Sequence, residues 1–272
     1  MKTEIFRMEK SGDVVYLKYK HLDKYSFVNH AVSTRHGGVS TLSGLESMNL
    51  GTQTRDSAEN VTENYRIFCK AAGFTADKLV ITKQTHSTNV RVATSEDAGK
   101  GYNRLRDYDN VDALVTNIKN LPIVVHSADC IPVSFIDINR KVAAVAHCGW
   151  RGTYGKISEN TLRVMIDAFS TDPCDVVCTI GPGICRECYE VSFELYNNFI
   201  NRFGMSDAFV HDGCKYFIDL VQVNSLTLQE CGIKQENIIK SDICTCCNTD
   251  LLYSHRGQGP QRGIFATVVE LV

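Results

Sequence analysis

Two patterns of hydrophobic positions recur along this chain. In 57–72, SAENVTENYRIFCKAA, the residues Val61, Tyr65, Phe68 and Ala72 repeat at three- and four-residue steps and so share one helix face. Asp56 or Ser57 caps its start and Gly73 its end. The same period predicts a helix from about Thr153 to Phe169, with Ile157, Thr161, Val164, Met165 and Ala168 inward. Two more are expected near 191–203, ending before Gly204, and near 219–231, ending before Gly232. The second pattern is a short, nearly continuous apolar run of strand length. It occurs at LVITK (79–83), DALVT (112–116), PIVVHS (122–127), PVSFID (132–137), KVAAVAH (141–147), VVCTI (176–180) and IFATVVEL (264–271). Ile138, Asn139 and Arg140 form a hairpin turn between two of these runs. The polar stretch 95–110 reads as a surface loop. Hairpins and helical crossovers together predict an α+β fold, with mixed β-sheets and flanking helices, over a regular doubly wound one.

Composition narrows the class. The 272 residues are 43% hydrophobic and 22% charged, ordinary values for a globular protein with a sizeable core. Net charge is −2 with both signs interspersed, which argues against a broad nucleic-acid-binding face. No apolar run is long enough to span a bilayer. The first residues, MKTEIFRMEKSGD, lack the apolar core of a signal peptide, so a cytoplasmic location is expected. No repeat or linker divides the chain, and a single domain over 1–272 is expected. The sequence does not fix the oligomeric state; a monomer is the default expectation. Twelve cysteines in a reducing compartment are core fillers, metal ligands or nucleophiles, and all are expected to be reduced.

Three segments carry chemistry. TKQTHSTNV places His86 at the end of a strand. HSADCIPVSF sets Asp129 and Cys130 inside an apolar stretch, where a charge beside a thiol needs a partner, and Pro132 should interrupt the ladder there. AVAHCGWRGT ends a strand in His147, followed by Gly149, Trp150, Arg151 and Gly152. The short hairpin between the last two segments brings His147 back past Cys130. Taken singly, each of these residues has a bland reading as a cap, a buried thiol or a surface charge. Together, His86, Cys130 and His147 are the imidazole, thiolate and imidazole set that suits zinc with one coordination position open. The same atoms also suit a Cys130–His147 dyad with a thiolate nucleophile, and local sequence does not separate the two. A helix beginning at Gly152–Thr153, together with Arg151, would form an anion site. Trp150 is expected to pack beneath the turn.

TRHGGVS, MNLG, QTH, ADCIPV, HCGWRG, GPGIC..CYEV and YSHRG resemble the YfiH family, also called the multicopper polyphenol oxidase or laccase-domain family and labelled peptidoglycan editing factor. The likeness runs from about residue 27 to the C-terminus and implies one YfiH-like catalytic domain with an α+β fold. It implies a purine nucleoside enzyme that cleaves adenosine, inosine and methylthioadenosine with phosphate and deaminates adenosine. The family's metal ligands fall on His86, Cys130 and His147. In deamination zinc would activate water for attack at C6 of the purine. In phosphorolysis phosphate would attack C1′ of the ribose, with Arg35, Arg151 and Arg256 as its candidate partners. Asn49 is a candidate for the ribose hydroxyls, and Asp129 for a base or for a group that orients a ligand.

Two departures from the family are Cys148 and Cys185, where Ala and Gly are usual. The C-x-x-C at 185–188 and CTCC at 244–247 have zinc-like spacing but lack a finger's arrangement, and they are read as ordinary thiols. A true multicopper oxidase needs about ten histidines, many in H-x-H pairs. This chain has eight histidines and no such pair, so copper is expected only as an in vitro occupant of the zinc site. The rival functions are a Cys130–His147 hydrolase or amidase acting on a cell-wall precursor, a phenol-oxidising copper enzyme as the family label suggests, and a non-enzymatic binding protein.

Overall fold

The apolar runs pair into two six-stranded sheets that pack face to face, with a small three-stranded sheet at one side. The structure, a computed structural model, describes residues 3–272. Its strands are β1 (Phe6–Ser11), β2 (Val14–Tyr19), β3 (Val28–Ser33), β4 (Val80–Ile81), β5 (Val90–Val92), β6 (Ala113–Thr116), β7 (Ile123–Ser127), β8 (Ile131–Asp137), β9 (Val142–Cys148), β10 (Val176–Ile180), β11 (Glu190–Val191), β12 (Phe209–Asp212), β13 (Lys215–Ile218), β14 (Ile238–Lys240) and β15 (Phe265–Leu271). Its α-helices are α1 (Ala58–Ala72), α2 (Trp150–Tyr154), α3 (Ile157–Phe169), α4 (Phe193–Phe203), α5 (Leu220–Glu230) and α6 (His255–Gln258). The first sheet has the order β1-β2-β3-β15-β7-β4 and the second β14-β10-β8-β9-β6-β5. Most pairs are antiparallel; β4–β7, β5–β6 and β10–β14 are parallel. This is the α+β fold with mixed sheets that the sequence predicts.

β9 explains why its segment is an unbroken apolar run. Ala143 and Val145 enter the core between the two sheets, while Val142, Ala144, Ala146 and Cys148 enter the core beneath α3, α4 and α5. A strand covered on both faces has no side on which a polar residue is favoured. On the outer face of the first sheet, α1 buries Val61, Tyr65, Phe68, Cys69 and Ala72. Ser57 accepts from the amide of Asn60 at its start, and Gly73 closes it with a φ of 78°.

Three local expectations change. The helix predicted from Thr153 begins after Gly149 and is broken at Lys156, whose left-handed φ of 60° separates α2 from α3. α2 is a single short turn, so no long helix start faces the site. Pro132 does not interrupt the β8–β9 ladder, which runs on through Pro132↔His147 to Ile131↔Cys148. The His147 amide bonds sideways to the Asp112 carbonyl at 2.8 Å, so that pair needs no donor from proline. The polar stretch 95–110 is not purely a surface loop: Lys100 is buried between Asp97 and Asp107, each at 2.8 Å. No helix among the described residues is long and apolar enough to cross a membrane.

Candidate active site

The ends of β8 and β9 and the loop after β4 meet at one point. The register Ile131↔Cys148 sets Cys130 beside the end of the strand that carries His147. His86 comes from the loop after β4 and is held at a left-handed φ of 62°, costly for a side chain with a Cβ. The donor atoms of His86, Cys130 and His147 lie within 4.8 Å of one another. Cys130 Sγ is 3.8 Å from His86 Nε2, and the two imidazole rings meet edge to face at 4.9 Å. Gly149 makes this approach possible. A Cβ there would lie 2.8 Å from His86 Cδ2 and 3.0 Å from Cys130 Sγ.

The strained loop is held by Asp112, a residue that sequence reasoning passed over. It is fully buried at the entry to β6. Its Oδ2 accepts from the amides of Thr85 (3.0 Å) and Ser87 (2.9 Å) and from the Ser87 hydroxyl (2.8 Å). Its Oδ1 accepts from the His86 amide at 3.0 Å and pairs with His147 Nδ1 at 2.9 Å. One carboxylate thus shapes the loop that carries His86 and, by bonding Nδ1 of His147, leaves its Nε2 to face the site. Burial opposes its charge, but the His147 bond and the Thr85 amide prevail and hold it down at about 2.

Burial likewise pushes the Cys130 thiol up, but the adjoining His147 and His86 outweigh it and bring it to about 6. His147 shifts the other way. Burial disfavours its cation, yet Cys130 and Asp112 raise it to about 9. Without metal both shifts favour a thiolate facing an imidazolium. Two nitrogens and a sulfur at these separations suit a tetrahedral zinc, with Zn–N of about 2.0 Å and Zn–S of about 2.3 Å. The donor set is complete from this chain, and the Gly149 cradle leaves room for it.

Two cavities meet at this trio, and both are lined by His86, Ala128, Cys130 and Arg262. One, of about 320 Å³, has an apolar and aromatic wall of Trp150, Ile184, Tyr189 and Leu220, with Arg256 at its side. The other, of about 280 Å³, is polar and cationic, with Lys83, Arg106, His126 and His147. Arg262 was not singled out from the sequence. Its Nε is buried with no partner, and burial lowers its pKa against the pull of Asp129 and Cys130.

The other expected site residues divide. Arg256 lines the aromatic cavity, but its guanidinium already donates to the carbonyls of Cys188 (2.9 Å) and Glu190 (3.0 Å). Arg151 lines neither cavity; it is exposed and stacks on Trp150 at 4.3 Å. Arg35 is likewise absent from both, donating to the carbonyls of Glu46 (3.0 Å) and Thr249 (2.6 Å). Asn49 is fully buried and pins the chain rather than offering itself to a ribose. Its amide donates to Thr54 (2.9 Å) and Asp56 (3.0 Å), and its oxygen accepts from the amides of Gly51 and Ile264. The carboxylate that bonds to an imidazole of the trio is Asp112, not Asp129. Asp129 accepts from Thr245 (2.7 Å), Ser254 (2.6 Å) and the Arg256 amide (2.6 Å), clamping the loop above the site. Trp150 packs on the core beneath the turn and also forms cavity wall.

All twelve cysteines are free thiols. Four of those read as ordinary, Cys185, Cys188, Cys244 and Cys247, instead converge on one another away from the trio. Neither thiol-bearing group is the imidazole-rich cluster that multicopper chemistry requires.

Known proteins resemble this chain along most of its length. A protein named purine nucleoside phosphorylase from Bacteroides thetaiotaomicron is 32% identical over 251 residues, covering 91% of this chain and 93% of that one. A protein from an unknown prokaryotic organism, named adenosine deaminase RL5, is 31% identical over 237 residues, covering 86% and 90%. The crystal structure of the hypothetical protein YfiH of Bacillus licheniformis superposes with a TM-score of 0.90 at 27% identity, over 99% of this chain and all of the other. YlmD of Geobacillus stearothermophilus gives 0.90 at 25% identity over 98% of each chain. Residues 29–272, which hold the trio and every cavity residue described above, match one family model, and the chain belongs to that family, described as multi-copper polyphenol oxidoreductase laccase.

Proposed function

We propose that this chain is a zinc-dependent purine nucleoside enzyme, which cleaves adenosine, inosine and methylthioadenosine with phosphate and deaminates adenosine. The observation that carries the reading is the His86–Cys130–His147 trio at the junction of an aromatic cavity and a cationic one. The names of the relatives from Bacteroides thetaiotaomicron and of RL5 support the same reading. Trp150 and Tyr189 offer the flat apolar surfaces that a purine requires. Burial holds the Tyr189 phenol protonated, so it remains a donor for an acceptor on the base. Arg262 reaches both cavities and has an unpartnered buried donor, which suits it to the phosphate. In phosphorolysis an oxygen of that phosphate bonds to C1′ as the C1′–N9 bond breaks, and the base leaves with the electron pair and gains a proton. Zinc, held by His86 Nε2, Cys130 Sγ and His147 Nε2, would supply Lewis acidity at the junction. Asp112 keeps the His147 proton on Nδ1, so that Nε2 stays free to ligate. A reduced Cys130 is required, which favours the cytoplasm.

One observation favours a second reading. The thiolate–imidazolium state of Cys130 and His147 is also the resting state of a cysteine hydrolase. Product analysis by mass spectrometry separates the two. With adenosine and phosphate the expected products include adenine and ribose 1-phosphate beside inosine and hypoxanthine; without phosphate, inosine alone. Arg262→Ala should cost phosphorolysis about 10- to 100-fold, one charged contact being about 1.5–3 kcal/mol, and spare deamination. Arg151→Ala should leave both reactions nearly unchanged. Absence of free base in the presence of phosphate sinks the phosphorolysis reading. Turnover that survives complete chelation moves the chemistry to the Cys130–His147 hydrolase.

A further inference from the structure

The second thiol cluster is built from two C-x-x-C turns separated by 55 residues, Cys185–Cys188 and Cys244–Cys247. The first turn is a 3-10 turn over Arg186–Cys188, in which the Cys188 amide donates to the Cys185 carbonyl at 3.2 Å. The two segments are tied by a bridge between Gly183 and Cys244, with the Thr245 amide on the Gly183 carbonyl at 3.1 Å. The Cys185 amide donates to Cys244 Sγ at 3.2 Å, an amide-to-sulfur bond that favours a thiolate. Cys188 Sγ and Cys247 Sγ are 3.4 Å apart, and all four sulfurs lie within 4.8 Å of one another. A zinc tetrahedron with Zn–S of about 2.3 Å spaces its sulfurs about 3.8 Å apart, between those two limits.

We propose that Cys185, Cys188, Cys244 and Cys247 bind a structural zinc ion, separate from the His86–Cys130–His147 centre, which fastens two outer loops of the molecule together. Four thiols gathered by two knuckles fill all four tetrahedral positions, so this is a closed site that leaves no position for a substrate. Four soft sulfur ligands select zinc or iron over magnesium or calcium, and no fifth donor is needed. Its place in the fold states what it does. Tyr189 follows Cys188 directly and lines the aromatic cavity, and Arg256 grips the Cys188 and Glu190 carbonyls. On the other loop Thr245, next to Cys244, bonds to Asp129 immediately before Cys130. The ion would hold the cavity's outer wall at a fixed distance from its floor.

The test is metal content of the full chain, purified under reducing conditions with zinc supplied. The wild type should carry two zinc ions. Cys130→Ala should keep one, and X-ray absorption on that variant should give four sulfurs at about 2.3 Å. Chelation of that variant should lower its Tm. Cys188→Ser/Cys247→Ser should also carry one, in a nitrogen and sulfur environment. The Cys130→Ala measurement leaves the thiol cluster intact, so it stands even if the double variant misfolds. A metal-free Cys130→Ala protein overturns the proposal, as does iron at the four sulfurs or a Cys188–Cys247 disulfide in freshly isolated chain. None of these outcomes depends on which nucleoside, if any, the enzyme turns over.

Discussion

Asp112→Asn removes no volume and leaves every neighbour in place, yet it should disable the site. The native carboxylate accepts five hydrogen bonds, two on Oδ1 and three on Oδ2. An amide has one accepting oxygen and one NH₂ group. Whichever way it turns, that NH₂ faces at least two donors. If it replaces Oδ2, it confronts the Thr85 and Ser87 amides. If it replaces Oδ1, it confronts the His86 amide and forces the His147 proton onto Nε2, the atom needed for metal. Losing two charge-assisted bonds at about 1.5–3 kcal/mol each costs about 3–6 kcal/mol, a large part of a typical domain's stability. Loss of such an outer partner lowers metal affinity by about 10- to 100-fold. Urea unfolding gives the stability change, and titration against a chromophoric zinc chelator gives the affinity. Ser87→Ala, which deletes the hydroxyl's bonds to Asp112, Asn110 and the Asn89 amide but leaves the three backbone amides on Asp112 in place, should cost about 1–2 kcal/mol and keep the metal. An Asp112→Asn protein as stable as wild type, with zinc affinity within about twofold, would refute the assignment of Asp112 as the anchor of the site.

Two further outcomes are expected. Gly149→Ala should strip zinc from the trio while circular dichroism stays native, because its Cβ would press on His86 and Cys130 at 2.8 and 3.0 Å; full retention of that zinc would contradict the cradle. His30, buried and accepting the Tyr19 amide at 2.8 Å, is held neutral by burial down to about 3. The unfolded histidine takes up a proton below about 6.5 while the folded one does not, so stability is lost as pH falls through that value, about 1.4 kcal/mol by pH 5.5. His30→Gln should show that much less change between pH 7.5 and 5.5 in urea titrations, and an unchanged pH dependence would mean that His30 protonates in the folded protein.

The strands that lie in the middle of the second sheet were legible because burial on both faces writes itself as continuous apolar sequence. The run 176–180 is β10 to the residue, 132–137 misses only the first residue of β8, and 141–147 is offset from β9 by one residue at each end. The amphipathic α1 was equally clear from its period and caps. The hairpin of β1 and β2 was missed, since β1 is half polar and exposed and carries no such run. That His86, Cys130 and His147 come together was readable from residue type at strand ends. Asp112 was not, because its function is exercised on backbone amides 25 to 27 residues earlier in the chain, and nothing in DALVT records that. Arg262 stands in a glycine-bearing turn with nothing in the sequence to mark it, and only the fold reveals that its Nε has no partner. The four-thiol cluster was hidden by 55 intervening residues, which include α4, α5 and the small sheet.

The burial of β9 on both faces bears on how the protein breathes. Every residue from Val142 to Cys148 is buried and paired with β8, and Ala143 to Ala146 are paired with β6 as well. Exchange of these amides with deuterated solvent requires both interiors to open together, so they belong to the last part of the molecule to exchange. The loops carrying Tyr189 and Arg256 lie outside the two large sheets, with Tyr189 half-buried and Arg256 exposed, so they are expected to open before β9. The pocket thus combines a floor that is already frozen before any ligand arrives with a roof that still has entropy to lose. Small molecules entering it incur an ordering cost for the roof alone, and whatever fastens the roof in advance lowers that cost.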